Sequence, residues 1–94
     1  SVEVEGYLST HEGVKLAAIV GLPDKKYGEV PVAYIEREEG STVSEKEIID
    51  YCSGQIASFK IPRHVRFLTA WPMGATKILK YELRERIAKE IESS

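Results

Sequence analysis

The sequence predicts an α+β fold: a small mixed β-sheet of about three main strands, covered by three helices, in the order α-β-β-α-β-α. Three observations predict it. Two apolar runs flank a cluster of glycine, proline and aspartate, the pattern of an antiparallel hairpin. A capped amphipathic helix and a third alternating run follow, and a strand–helix–strand crossover makes the second and third strands parallel if they are neighbours. Finally, 94 residues with 43% hydrophobic and 30% charged content suit one domain with a modest core, too small to enclose a deep active site alone.

The elements can be justified in order. Val4, Tyr7, Leu8 and His11 fall at i, i+3, i+4 and i+7, one stripe of a short helix, and Gly13 offers a stop in the left-handed conformation. Residues 14–20, V-K-L-A-A-I-V, are mostly apolar, as in a strand covered on both faces. Residues 21–29, G-L-P-D-K-K-Y-G-E, concentrate turn formers. Residues 30–36 give the second strand, with Pro31 expected at a strand start or on an edge because it cannot donate to a ladder. Ser44 and Glu47 form an S-x-x-E capping box ahead of the stripe Ile48, Ile49, Cys52 and Ile56. Phe59-Lys60-Ile61-Pro62 breaks that helix, and residues 64–70, H-V-R-F-L-T-A, alternate as a third strand. After a loop over residues 71–76, Leu83, Ile87 and Ile91 at four-residue spacing define the last helix.

Composition excludes several classes of function. Two histidines far apart and one cysteine give no metal-site spacing and no internal disulfide. Cys52 lies in an apolar helical stripe and reads as a small core residue. A reducing, cytoplasmic setting is compatible with this cysteine usage. No run is long enough for a transmembrane helix. The chain opens Ser1-Val2-Glu3, with no initiator methionine or signal peptide, as an excised piece would. The net charge of −2 hides an asymmetry: residues 1–47 carry ten acids and five bases (net −5), residues 48–94 five acids and eight bases (net +3). A basic C-terminal half could face phosphates or simply be a solvated helix surface, and it is too weak a bias to indicate nucleic acid. Neither a Walker-type phosphate loop nor a dinucleotide-binding glycine motif is present. A self-contained enzyme is not expected from these residues.

Residues 71–83 read W-P-M-G-A-T-K-I-L-K-Y-E-L. A proline and several small residues precede one lysine, Lys77, at the threshold of the last helix. The plain reading is a solvated loop lysine. Yet an ammonium held out from a rigid base can donate up to three hydrogen bonds to anionic oxygens on another surface.

Four segments, in order and at fitting separations, carry a resemblance that none would carry alone. E-V-E-G-Y-L at residues 3–8 resembles the opening helix of the small C-terminal domain of the adenylate-forming (AMP-binding) superfamily, which includes acyl-CoA synthetases, peptide-synthetase adenylation domains and luciferases. A-A-I-V-G-L-P-D-K-K-Y-G-E at residues 17–29 resembles its A-A-V-V-G-x-P-D-x-x-x-G-E. F-K-I-P at residues 59–62 resembles its [YF]-K-x-P, and K-I-L-K-Y-E-L-R-E at residues 77–85 resembles the segment that begins at its catalytic lysine. The resemblance implies a lid domain over residues 1–94 of a fatty-acyl-CoA synthetase, whose large N-terminal domain is its partner and holds ATP and Mg. It implies that Lys77 reaches into that domain as ATP and a carboxylic (fatty) acid form acyl-adenylate and pyrophosphate. The lid would then swing to allow thioester formation with CoA. Lys60 and Arg63 would face CoA phosphates in the swung state, unless they are solvated surface. Gly21, Pro23, Asp24, Gly28 and Glu29 would shape a turn. The isolated chain would be inactive and bind no cofactor, and the enzyme would be cytoplasmic, with peripheral membrane contact as the alternative for the full-length protein.

The sequence also departs from the family pattern. The family reads P-x-x-x-x-G-K; here Pro72-Met73-Gly74-Ala75-Thr76-Lys77 is one residue shorter and places Thr76 before the lysine. The segment downstream still aligns Lys77, rather than Lys80, with the family lysine. The G-R-x-D hinge signature is absent. Two other readings therefore stand beside the first: a fragment of a peptide-synthetase adenylation domain, and a non-catalytic α+β binding module that has lost the chemistry.

Overall fold

The computed structural model describes residues 2–74 and 77–93. Helix α1 (Val2–Leu8) leads into strands β1 (Val14–Asp24) and β2 (Gly28–Arg37). Helix α2 (Glu45–Cys52), a 3-10 turn (Ser58–Lys60), strand β3 (His64–Phe67) and helix α3 (Lys80–Ser93) follow. The order is that predicted. The sheet runs β1-β2-β3, antiparallel between β1 and β2 and parallel between β2 and β3, so it is mixed, with α2 in the crossover.

Both sheet faces are covered, which is why the strands are apolar in runs. Ala17, Ile19, Ala33, Ile35 and Val65 face one core with Val4 and Leu8 of α1 and Ile48 and Cys52 of α2. Ala18, Val20, Leu22, Val32 and Tyr34 face the other, closed by Leu83 and Ile87 of α3. Cys52 is fully buried in the first core, and burial raises its thiol pKa. Ile91, expected in the helix stripe, is 37% exposed, so the buried stripe of α3 consists of Leu83 and Ile87 among the described residues.

Several boundaries differ from the sequence reading, each for a local reason. The stretch expected as a turn, residues 21–29, is mostly ladder: Gly21 pairs with Pro31, Leu22 with Val30, Pro23 with Glu29 and Asp24 with Gly28. The turn itself is tight, with Asp24 Oδ2 accepting from the N–H groups of Lys26 (3.0 Å) and Tyr27 (2.8 Å) and Gly28 at φ 81°. That left-handed conformation is costly for any side chain, so Gly28 closes the hairpin.

Pro31 sits inside the middle strand, neither at its start nor on an edge. The Pro31 carbonyl accepts from Arg63 N–H (2.9 Å), so its absent N–H points toward β3, just short of where β3 pairing begins at Val32 and His64. Pro23 is in phase with Ile19, whose N–H points away from β2, so it too withholds no ladder bond. Helix α1 ends at Leu8, before His11, and Gly13 does not have positive φ. Instead the hydroxyls of Ser9 and Thr10 donate to the carbonyls of Glu5 and Tyr7, and His11 Nδ1 accepts from Gly13 N–H. β3 ends at Phe67 rather than at residue 70, and α2 ends at Cys52, leaving Ile56 to pack against the core from a turn.

Of the two bonds of the expected capping box, the structure carries the one from Glu47 N–H to Ser44 Oγ (3.2 Å). Replacing Ser44 by alanine is expected to cost about 0.5–2 kcal/mol, read as a lower denaturation midpoint at unchanged slope. An unchanged midpoint would mean the cap contributes nothing.

One open N–H group on each sheet edge is taken by a carboxylate. Ile19 N–H on β1 donates to Glu5 Oε2 (2.7 Å), and Val65 N–H on β3 donates to Glu45 Oε2 (3.0 Å). These caps blunt the edges against pairing with another chain. At β3, Arg66 also pairs with Glu90 of α3 and lies 3.8 Å from Glu45 of α2. The hydrogen bond from Arg66 lowers the Glu90 pKa below its ordinary value. A depressed carboxylate pKa stabilises the fold above the unfolded value, and that contribution is lost as pH falls through the folded value. Because Glu90 is 48% exposed, the pair is screened and worth only about 0.2–1 kcal/mol. Glu90→Gln should therefore lower stability at pH 7 by that amount and match the unsubstituted chain below the folded pKa of Glu90, as urea melts across pH would show.

Candidate functional site: the Lys77 loop and the Tyr27–Arg63 groove

The loop before α3 is a short hairpin. Met73 and Ile78 form an antiparallel bridge, Gly74 N–H donates to the Lys77 carbonyl (2.8 Å), and Leu79 N–H donates to the Pro72 carbonyl (2.7 Å). Ala75 and Thr76, which carry the departure from the family pattern, lie outside the described residues. Lys77 is exposed and, among the described residues, its ammonium has no ion-pair or hydrogen-bond partner. Its main chain is fixed while its charge is uncommitted.

Lys80, the other candidate in the segment, is committed. Its Nζ lies 2.5 Å from Glu5 Oε2, whose side chain is only 19% exposed. Of these two lysines, Lys77 is the one whose ammonium has no ion-pair or hydrogen-bond partner among the described residues.

The remaining sequence-predicted residues gather on another part of the surface. Arg63 stacks its guanidinium 4.7 Å from the Tyr27 ring centroid, and Lys26 Nζ lies 5.3 Å from the same ring. The side-chain interaction with Arg63, then that with Lys26, holds the Tyr27 phenol below its ordinary pKa. Tyr27, Glu29, Pro31, Ser58, Phe59 and Arg63 are among the residues lining a groove of about 450 Å³, whose walls include the exposed rings of Phe59 (76%) and Tyr27 (54%). Lys60 is less free: its Nζ pairs with Glu3 Oε1 at 2.7 Å.

Gly21 and Glu29 are explained by packing. A Cβ on Gly21 would stand 2.2 Å from Glu29 Cδ, so the glycine lets the Glu29 carboxylate lie across the strand. There it meets Arg84 of α3 at 3.6 Å, while Arg84 Nε donates to the Gly21 carbonyl (3.2 Å). Asp24 builds the hairpin turn and Pro23 lies in the ladder; both shape the hairpin.

Sequence reasoning did not single out Tyr27, Glu5, Lys80 or Arg84 as site residues. Glu5 lay in the quoted first segment and Lys80 and Arg84 in the last, but pairing between two ends of a chain has no local signature. Among the described residues, no group of three or more His, Cys, Asp or Glu is placed to hold a metal, and no helix is long and apolar enough to cross a membrane.

With the mixed sheet, the hairpin and the lysine loop in place, the family follows: the chain belongs to the AMP-binding enzyme C-terminal domain family, which matches residues 3–77. It is 40% identical over 90 residues to a mitochondrial medium-chain acyl-CoA ligase of Danio rerio, covering 95% of this chain and 15% of that protein. Among solved structures, ATP-bound MatB from Rhodopseudomonas palustris superposes with a TM-score of 0.88 at 30% identity, covering 95% of this chain and 18% of that one. A Mycobacterium tuberculosis fatty acyl CoA synthetase gives 0.83 at 37% identity, covering 94% and 18%. The chain thus spans about one sixth of the length of the relatives it matches.

Proposed function

We propose that this chain is the C-terminal lid domain of an ATP-dependent acid–CoA ligase acting on fatty acids, and that Lys77 is its catalytic residue. The observation that carries this reading is the contrast between two lysines three positions apart: Lys80 neutralised by Glu5, and Lys77 on a pinned hairpin with its charge uncommitted. On this reading, the large domain of the same polypeptide binds ATP with Mg and the carboxylic acid. Docking of the lid brings Lys77 Nζ to the oxygens of the substrate carboxylate and α-phosphate, where negative charge concentrates as the acyl-adenylate forms. At about 4 Å, an ion pair is worth on the order of 4 kcal/mol at an effective dielectric near 20, before desolvation is deducted. A donor fixed in advance costs no reorganisation at the moment of reaction.

The lid then withdraws Lys77 and presents another face for attack by CoA, one element serving two half-reactions. The Tyr27–Arg63 groove supplies a guanidinium for phosphates beside two exposed aromatic rings suited to a base, which fits CoA. Lys60 would join it on release from Glu3. The names of several relatives favour fatty acids.

Pyrophosphate exchange tests the reading. The isolated chain should give none above a blank with ATP and a fatty acid, and the chain joined to its large domain should restore it. Exchange catalysed by the isolated chain would overturn the proposal. The loop's one-residue deficit against the family pattern favours one other reading, a binding module without chemistry, for which neither form would exchange pyrophosphate.

A further inference from the structure

We propose that Glu5 is a positioning residue for Lys77, acting through Lys80 as a clamp around the open edge of β1. The inference rests on the adenylation role assigned to Lys77. Glu5 leaves α1, on one face of the sheet, and its Oε2 accepts from Ile19 N–H on the β1 edge at 2.7 Å. The same oxygen holds Lys80 Nζ, on the first residue of α3 on the opposite face, at 2.5 Å. One carboxylate, 19% exposed, therefore ties both helical layers to the edge strand. The carboxylate end is the shielded one, the Lys80 side chain being 43% exposed, so the pair is screened less than a fully solvated bridge.

The tie ends at the base of the lysine hairpin. Leu79, next to Lys80, donates its N–H to the Pro72 carbonyl, and Ile78 bridges Met73. From Glu5 to Lys77 the path is a side-chain ion pair followed by a hydrogen-bonded hairpin stem. A second tie, Arg84 to Glu29 and to the Gly21 carbonyl, secures α3 about one turn further along. The first tie is the one that can shift the stem of the hairpin without releasing the helix. An ammonium that must land within hydrogen-bond reach tolerates little displacement: misplacement by about 1 Å can cost on the order of 10²-fold in rate.

The variant to make in the full-length enzyme is Glu5→Gln, which keeps an oxygen for Ile19 N–H and removes the charge that holds Lys80. Acyl-adenylate formation is expected to fall about tenfold, while CoA attack on supplied acyl-adenylate and the thermal midpoint stay close to those of the unsubstituted enzyme. Lys80→Met should lose the same amount, the double variant no more than either single one, and Lys80→Arg should retain activity. Amide exchange at Leu79 and Gly74 should quicken in Glu5→Gln. Equal loss in both half-reactions, additive losses in the double variant, or unchanged adenylation and unchanged exchange would overturn the clamp. Lys77→Ala measured alongside separates the two claims. If it depresses adenylation and Glu5→Gln does not, only the positioning role fails; if it has no effect, the role of Lys77 fails and the inference falls with it.

Discussion

Changing Lys77 to alanine in the full-length enzyme is expected to depress acyl-adenylate formation by roughly 10²-fold or more, the usual loss when one preorganised donor to a developing negative charge is removed. On the proposed reading Lys77 is withdrawn for the second step, so CoA attack on supplied acyl-adenylate should be nearly intact. The half-reactions must be measured separately, since overall turnover reports only the slower one. The substitution should not disturb the fold: Lys77 is exposed, and the bond that closes the hairpin uses its main-chain carbonyl, which alanine retains. Equal losses in both steps would point to misfolding or to a lid that does not alternate. No loss in either would mean that the loop never delivers the ammonium, and the binding-module reading would gain. Inserting a glycine between Thr76 and Lys77 addresses the shortened loop, because one residue of extended chain spans about 3.3–3.6 Å. If adenylation rises on insertion, the reach of the lysine was limiting.

The second large effect is on stability. Leu83 is fully buried between α3 and the sheet, and its carbonyl accepts from the Tyr34 hydroxyl at 3.3 Å. Leu83→Ala is expected to cost about 2–5 kcal/mol, from lost transfer free energy and the cavity left where neighbours cannot collapse. For a domain of this size the loss shifts the melting temperature by about 4–8 °C per kcal/mol, readily seen by calorimetry. The reason for so large an effect is the composition of α3. With Ile91 partly exposed, Leu83 and Ile87 are the buried side chains that hold the helix. A cost below about 1 kcal/mol would mean that α3 is secured mainly by its polar ties through Lys80, Arg84 and Glu90. Because the helix carries the C-terminal stem of the lysine hairpin, the same substitution should also raise amide exchange at Leu79.

Much of this was legible in the sequence because it depends on local chemistry. The apolar run at residues 14–20 read as a strand covered on both faces, and the two cores bear out that covering. Ser44 announced α2 through a bond made within one helical turn. The mixed sheet followed from one crossover helix between two strands. Segment by segment, the same residues named the family that the comparisons then showed.

Boundaries were less legible because they depend on which side of a strand is open. Gly21 and Pro23 look like turn residues, yet they lie in the ladder: Pro23 turns its missing donor away from β2, and Gly21 makes room for Glu29. Pro31 survives in the middle strand because β3 starts one residue beyond it. Gly13 looked like a left-handed stop, but hydroxyl bonds had already ended the helix at Leu8.

By itself the sequence determined the elements, their order, the covered sheet and the family, since each rests on periodicity, caps or contiguous motifs. Only the tertiary structure decided which charges are spent and which are free. Glu5 and Lys80 stand far apart in the chain and meet around a strand edge, as do Glu3 and Lys60, and Arg63 finds Tyr27 across a groove. An ion pair or a ring stack forms wherever folding brings its partners within a few ångströms, and no residue spacing along the chain records that distance.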